Sequence, residues 1–504
     1  MKKIGFVIII LMLALSSIGI GSVNASARDL EWVVSITYQN VGTAESPVTM
    51  SFYQEGSATP VVYDAGTLAA GAAASLYIGR VTDIDAGFRG NAVVSSSQPL
   101  VATVVQFHQN APGETVKMRM LSNGLSSEDG SQQYLIATAL GNIFNRTTVF
   151  SVQNLETETI TATFNFYNVS DGALLSSIDH DIPASSSRFI ETDIITDTGL
   201  SSDIFNGSVI VSAVKKSDGT TPANIVAAAS ELYTNKNVGA NFEGIPLGKA
   251  SDIVYVPSAL CKKFGLDTYY AVQNASLTSP AEITVTYYNQ DGSLKTEDGP
   301  YTIGPGQKKS IITCAPSSGV DMTDYTGSAV ITTTDPSSQI VALGKAQASM
   351  PSSSAYVDVF TIFNAQPEGS SKIALPFVRW ANNTHYNSST NFGSYQRSFI
   401  AIQNLENSDA KVNVNYIDKV GNVLATHTLN LPANSKLNSN PSVAGALGLG
   451  GMVAGEFGYY TDGSFGGGVI IEAHPDNPTA NFIAVNRVQH PGAGEDYNGI
   501  SIEP

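Results

Sequence analysis

The sequence predicts an all-β protein: a signal peptide followed by a tandem array of four immunoglobulin-like antiparallel β-sandwich domains. Three observations carry this. A Gln-Asn pair preceded by an apolar or aromatic residue occurs four times, with its Gln at positions 39, 153, 273 and 403. Behind each pair comes a run in which apolar and small polar residues alternate. Turn and corner residues then follow in the same order in every copy. Period two buries one face of a strand and wets the other, as antiparallel sandwiches require and helices do not.

The chain opens with Lys2 and Lys3, then an apolar run from Ile4 to Leu15 that is too short to span a bilayer. Small residues follow at Val23-Asn24-Ala25 and Ala25-Ser26-Ala27, where a signal peptidase would cut. Residues 1–27 are therefore read as a signal peptide and the mature chain as exported. The repeats occupy 28–128, 129–250, 251–370 and 371–504. The first lacks an opening strand, because cleavage leaves no room for one.

The alternating runs are Val48-Thr49-Met50-Ser51-Phe52, Ala162-Thr163-Phe164-Asn165-Phe166, Ile283-Thr284-Val285-Thr286-Tyr287 and Val412-Asn413-Val414-Asn415-Tyr416. Hairpin signals end them: Glu55-Gly56, Asp171-Gly172, Asp291-Gly292 and Gly421-Asn422, where Gly supplies positive φ. About 30 residues past each Gln stands a corner: Ala70-Gly71, Pro183-Ala184, Pro305-Gly306 and Pro432-Ala433. Next comes Gly with a small residue and a β-rich run, at Gly90, Gly207, Gly327 and Gly467. A further strand starts at Leu100, Ile225, Ile340 and Phe482. Repeats two to four also carry an opening strand, at Tyr134-Leu135-Ile136, Val254-Tyr255-Val256 and Ile373-Ala374-Leu375. Roughly seven strands per unit fit a sandwich. The best helical candidate, 444–449, is short and broken by Gly.

The order Gln-Asn, Thr-Val-Thr-Tyr-Tyr, Asp-Gly, Ile-x-Pro-Gly and Gly-Ser-Ala-Val, with a closing Tyr497-Asn498-Gly499-Ile500, resembles tandem repeats of secreted bacterial surface proteins. Repeat two closes on a related Phe242-Glu243-Gly244-Ile245. Repeat one, from Val41-Gly42-Thr43 to Gly71, is also similar to the CARDB-type adhesion module. The resemblance implies an extracellular sandwich; neither family carries a catalytic motif to transfer.

Composition narrows the partners. A net charge of −17, from 43 acids and 26 bases, opposes binding to nucleic acid or anionic lipid. The six His have no zinc spacing, and no nucleophile elbow or phosphate loop occurs, so an enzyme is not expected. Asp83 with Asp85, and Asp321 with Asp324, are the loop acids to weigh for Ca2+. That ion takes six to eight oxygens, so solvated turn acids are the reading and no cofactor is expected. The repeated Gln residues are either a ligand row or amides satisfying backbone groups, and the second is favoured. Cys261 and Cys314 share repeat three in an oxidising compartment, so a disulfide is expected, worth roughly 4 kcal/mol in the chain-entropy model.

Function should sit where a repeat departs from the plan. Repeat four inserts a loop after its first strand, with Trp380, Asn383, His385, Tyr386, Phe392 and Tyr395 as the candidate binding residues. Aromatic rings among Asn and Ser suit protein or carbohydrate contact. The expectation is a non-enzymatic, secreted cell-surface structural or adhesive protein. Its partners would be other surface proteins, itself or glycans, and the mature chain would not enter the membrane. The alternative is a carbohydrate-binding protein acting through repeat four. Short linkers suggest a semi-rigid rod.

Overall fold

The computed structural model describes residues 9–13, 32–108, 118–349, 359–383, 386, 396–449, 464–490 and 493–502. The protein is all-β and its sheets are antiparallel. Repeat two shows the plan. Its strands are, in chain order, opening (Gln133–Gly141), amide (Arg146–Asn154), alternating (Ile160–Asn168), return (Leu174–Ile182), short (Ser187–Glu191), glycine (Phe205–Lys215), inner (Ile225–Tyr233) and closing (Gly239–Glu243). Opening, glycine, alternating and return strands form one sheet, and short, amide, inner and closing strands form the other. Both orders recur in the other three repeats. In repeat four the two sheets are joined by the single pair Trp380↔Arg397. Two four-stranded sheets, extended beside the opening strand by the two-residue strands Ile245–Pro246 in repeat two and Ile500–Ser501 in repeat four, differ from the four-plus-three immunoglobulin arrangement. The stretch 444–449 is a run of turns rather than a helix.

The alternating strands justify their pattern. In repeat one, Val48, Met50 and Phe52 are buried, and they meet Ile36 and Val104 of the facing sheet in one apolar core. Equivalent cores fill the other repeats.

The repeated Gly has a steric cause. A Cβ on Gly90, Gly207, Gly327 or Gly467 would stand 2.0, 1.9, 2.0 or 2.1 Å from the carbonyl oxygen of Tyr53, Tyr167, Tyr288 or Ile417 on the alternating strand. Two residues earlier stands an aromatic ring, Phe88, Phe205, Tyr325 or Phe465, lying over that glycine. Three of these rings meet a ring of the alternating strand edge-on: Phe166–Phe205 at 5.6 Å, Tyr287–Tyr325 at 6.1 Å and Tyr416–Phe465 at 5.6 Å.

The Gln-Asn pairs end the amide strands and hold the corners. Asn40, Asn154, Asn274 and Asn404 are fully buried. Each Nδ2 donates to a corner carbonyl, that of Leu68 (3.0 Å), Ile182 (3.0 Å), Ile303 (3.1 Å) or Leu431 (3.0 Å). Each Oδ1 accepts a main-chain N–H two residues on. Gln39, Gln153 and Gln273 donate to Gly71, Ser185 and Gly306 oxygens in the same corners. The Asn amides are satisfied within the scaffold, whereas Oε1 of Gln39, Gln153 and Gln273 and both amide atoms of Gln403 are buried without a hydrogen-bond partner among the described residues.

A rod is not what forms. The hairpin of each repeat docks on the corner of the next. Ser186 Oγ donates to Gln54 O between repeats one and two, and Gln307 Nε2 to Val169 O between two and three. Between three and four, Lys436 N donates to Gln290 O; between four and one, Ala73 N donates to Lys419 O. The last contact returns the fourth repeat to the first, so the head-to-tail arrangement closes into a ring. The apolar cores join across the seams: Val105 and Leu121 of repeat one pack with repeat four, and Val341 and Phe360 of repeat three with repeat two. In a rod each repeat would touch only its chain neighbours.

Opening strands lie in these seams, which is why Tyr134, Leu135, Ile136 and Ala137 are all buried rather than alternately so. One side faces its own sandwich, the other the next repeat. Repeat one differs from expectation here. In the full-length chain its opening position holds Ile9–Leu13, from the segment read as a signal peptide, paired antiparallel to Gly90–Ser96.

Replacing Gly327 with Ala is expected to cost at least about 2 kcal/mol, since the atom nearest the new methyl is the backbone oxygen of Tyr288, which cannot swing aside as a side chain can. A denaturant midpoint unchanged from wild type would contradict the packing described.

Candidate binding face

Closing strands meet where the ring closes. Those of the other repeats are Met118–Asn123, Phe360–Asn364 and Ala493–Asn498, and each lies against its two neighbours around the ring. Asn123, Glu243, Asn364 and Asn498 hold the same position in the four strands. Asn498 Nδ2 donates to Asn364 O (2.7 Å), Asn364 Nδ2 to Glu243 O (3.1 Å) and Asn123 Nδ2 to Asn498 O (2.7 Å). Each amide thus grips the main chain of the preceding repeat. Glu243 stands where the others have Asn, and its Oε1 accepts from Asn123 N. Burial raises the Glu243 carboxyl above its ordinary range, against the bond from Asn123. A neutral acid can serve where an amide would.

The seam between repeats two and three holds a buried ion cluster. Glu231 pairs with Arg146 (2.9 Å) and with Lys345 of the next repeat (2.5 Å). Burial alone would raise its carboxyl, but Lys345 and Arg146 outweigh that and hold it down at about 2. Lys308 lies in the same seam with Nζ 3.3 Å from Thr138 Oγ1, and burial with the nearby Lys345 lowers it to about 7. Between repeats four and one, Glu495 lies 3.7 Å from Arg119 and 3.3 Å from His490.

Hairpin tips between opening and amide strands crown the end at which inner strands hand over to closing strands, as the pairs Arg146↔Tyr233 and Leu266↔Ala348 require. Repeats related by rotation carry equivalent points at one height, so these tips share one face of the ring. In repeat two the tip is Phe144-Asn145, bounded by an Ile143↔Arg146 bridge, with φ of 56° and 54°. In repeat three it is Phe264-Gly265, bounded by Lys263↔Leu266, with φ of 54° and 72°. Positive φ at both central residues is the I′ pattern, which favours Asn and Gly. Phe there is sterically unfavourable by roughly 1–2 kcal/mol. Both rings also stand in water, Phe144 66% and Phe264 61% exposed. Neither local structure nor core packing asks for them.

The tips are anchored. Asn142 Nδ2 donates to Asp203 (3.0 Å), and Lys263 pairs with Asp324 (3.0 Å). Asp324 is therefore occupied by a cation, and Asp321 accepts Thr323 N (2.8 Å). Cation on ring contacts mark the same end: Arg146 over Tyr233 and Phe360 (4.5 Å each), and Lys236 over Tyr233 (4.4 Å).

Repeat four replaces the tight tip with its long loop. Trp380 is 9% exposed, edge-on to Phe399 at 5.4 Å, with Arg397 over its ring at 4.8 Å. The same guanidinium lies 4.3 Å from the Tyr386 ring and donates to Asn383 Oδ1 (2.6 Å). Trp380, Asn383 and Tyr386 thus gather around Arg397, and Trp380 spends its face inside the protein. His385, Phe392 and Tyr395 lie outside the described residues. Cys261 and Cys314 form a disulfide between the opening strand of repeat three and the segment after its short strand. The group Cys261, Asp267, Cys314 is accordingly no metal site.

Sequence reasoning missed Phe144 and Phe264. The available signal was an apolar residue inside a turn dipeptide, Ile143-Phe144-Asn145-Arg146 and Lys263-Phe264-Gly265-Leu266, at one place in two repeats. No protein-family model matches the chain, and no curated protein is similar to it.

Two pH effects follow. Glu243→Gln is expected to match wild type near pH 3 and to be the more stable at pH 8. The raised carboxyl contributes stability below its unfolded pKa and loses it as pH climbs through the folded value. Lys308→Met should gain most at or below pH 7, with the advantage shrinking toward pH 10 as wild type folds with a neutral amine. Thermal midpoints across pH check both; a gain independent of pH would contradict either assignment.

Proposed function

We propose that the chain is an exported, non-enzymatic structural or adhesive protein. In this reading four sandwich domains, immunoglobulin-like in layering, form a ring that offers one face to another extracellular surface. The observation that carries it is the pair of exposed Phe residues at equivalent positive-φ tips. Residues that cost both conformational energy and solvation are kept for contact. Two rigid aromatic anchors rimmed by Lys and Arg suit a partner with apolar pockets and acidic groups. The leader at residues 1–27 and the disulfide support an extracellular setting. A carbohydrate reading centred on Trp380 is the less favoured, because that ring is buried under Arg397.

Phe144→Asn with Phe264→Asn tests the proposal, since Asn is the residue this turn prefers. The double variant is expected to be as stable as wild type or more so, by about 1 kcal/mol per tip. It should also lose retention on washed producing cells by tenfold or so. Retention equal to wild type, with the fold intact, would sink the adhesive reading of these tips.

A further inference from the structure

The opening-strand position of repeat one is built differently from the other three. In repeats two, three and four it is filled by Gln133–Gly141, Ile253–Cys261 and Lys372–Trp380, each continuous with its own repeat. Each pairs with its own glycine strand and lies against the inner sheet of a neighbouring repeat. In repeat one the glycine strand is Gly90–Ser96, and the strand beside it is Ile9–Leu13, in the register Ile9↔Val94, Leu11↔Ala92, Leu13↔Gly90. That strand also lies against the inner strand of repeat two, Ile225–Tyr233, the same seam position as its counterparts.

Cleavage after Ala25 or Ala27 would remove it. At most residues 26–31 would then precede Trp32, where the amide strand begins. The other opening strands in full are nine residues long, and in repeats two and three four more residues turn them into the amide strand. The processed chain therefore cannot refill the position itself. What remains is a sheet edge with unpaired main-chain groups beside the buried Ala92 and Val94. The ring does not rest on this strand alone. Trp32, Met118 and Met120 pack with Val149, Phe189 and Leu232 across the same seam, and Arg89 bridges Glu55 and Glu191.

We propose that removal of the leader opens a strand-acceptor slot between Gly90–Ser96 and repeat two, and that a different polypeptide fills it with an apolar β-strand. The slot states the chemistry of its occupant. Its equivalents are buried on both faces, as Tyr134-Leu135-Ile136-Ala137 shows, and the leader residues seated there are Ile-Ile-Leu-Met-Leu. An amphipathic strand with alternate polar residues would leave one face unsatisfied. The donor must offer about five consecutive apolar residues, antiparallel to Gly90–Ser96. The inference rests on leader removal, which the mass of the exported protein reads independently of strand exchange. A mass retaining Met1 would remove the premise.

The test uses the chain from Arg28 to Pro504 and a synthetic peptide of residues 7–15 carrying lysines at both ends. Hydrogen exchange is followed by mass spectrometry. The amides of Gly90–Ser96 that point away from Ser46–Gln54, toward the vacated position, should exchange on the order of 100-fold faster than their equivalents in Phe205–Lys215. The peptide should restore their protection and raise the melting temperature, and the same peptide N-methylated at alternate residues should do neither. Protection in the monomeric chain without peptide would overturn the proposal. So would a concentration-dependent dimer that protects the same amides, since a second copy would then fill the slot. Equal action of the N-methylated peptide would show apolar adsorption instead of strand pairing, and would also overturn it.

Discussion

A buried amide at the end of one strand governs much of this structure. Asn40, Asn154, Asn274 and Asn404 each bond main-chain groups on both sides of a loop, and thereby fix the corner some 28 residues later in sequence. Leaving such groups unpaired in the interior would cost roughly 1–3 kcal/mol each. The corner is also where the hairpin of the preceding repeat docks. One side chain therefore links the inside of a repeat to its neighbour, and the Gln before it braces the same turn in three of the four. A recurring polar pair that could pass for a ligand row is the joint of the assembly.

Closure changes what the repeats must satisfy. In an open array the terminal units need solvated outer faces. Here the hairpin of repeat four meets the corner of repeat one, so each repeat buries a face on both sides. The Asn364 and Asn498 amides, reaching the main chain of the preceding repeat, carry the same logic to the closing strands. That is why the opening strands read as near-continuous apolar runs while the alternating strands keep a wet face. The two patterns record one neighbour against two.

Much of this was legible in the sequence, and the limits have physical causes. Strand-level features follow from local rules: period two marks the alternating strands, and Gly in a turn marks the hairpins. The glycines 90, 207, 327 and 467 could be seen to recur, but not why. Their reason is a carbonyl on a strand 37 to 50 residues earlier in the chain. The ring was invisible because hairpin and corner look the same whether they face water or each other. Trp380 drew attention as an aromatic in a polar loop. Its ring is buried because Arg397, 17 residues on, reaches back over it. Phe144 and Phe264 escaped notice because φ is not written in sequence; only the backbone geometry shows that an ordinary-looking Phe occupies a place suited to Asn.

A ring of four covalently joined but unequal repeats can do what four identical subunits cannot: make each seam different. The seam between repeats two and three buries Glu231, and the side chain that completes its ion pairs is Lys345 of repeat three. At the matching position repeats one and two carry Val105 and Ser230. Either of those as the neighbour would leave a buried carboxylate short of a cation, at a cost of several kcal/mol. The seam thus accepts repeat three and rejects two of the alternatives. Repeat four would offer Arg487, but Asp496 of the same repeat holds that guanidinium through two bonds of 2.9 and 2.6 Å. The covalent chain already fixes the order of the repeats; the Glu231–Lys345 pair makes this one seam specific for the face it meets. The apolar contacts differ as well: Trp32, Met118 and Met120 meet Val149, Phe189 and Leu232 between repeats one and two, whereas Val341 and Phe360 of repeat three join the core of repeat two.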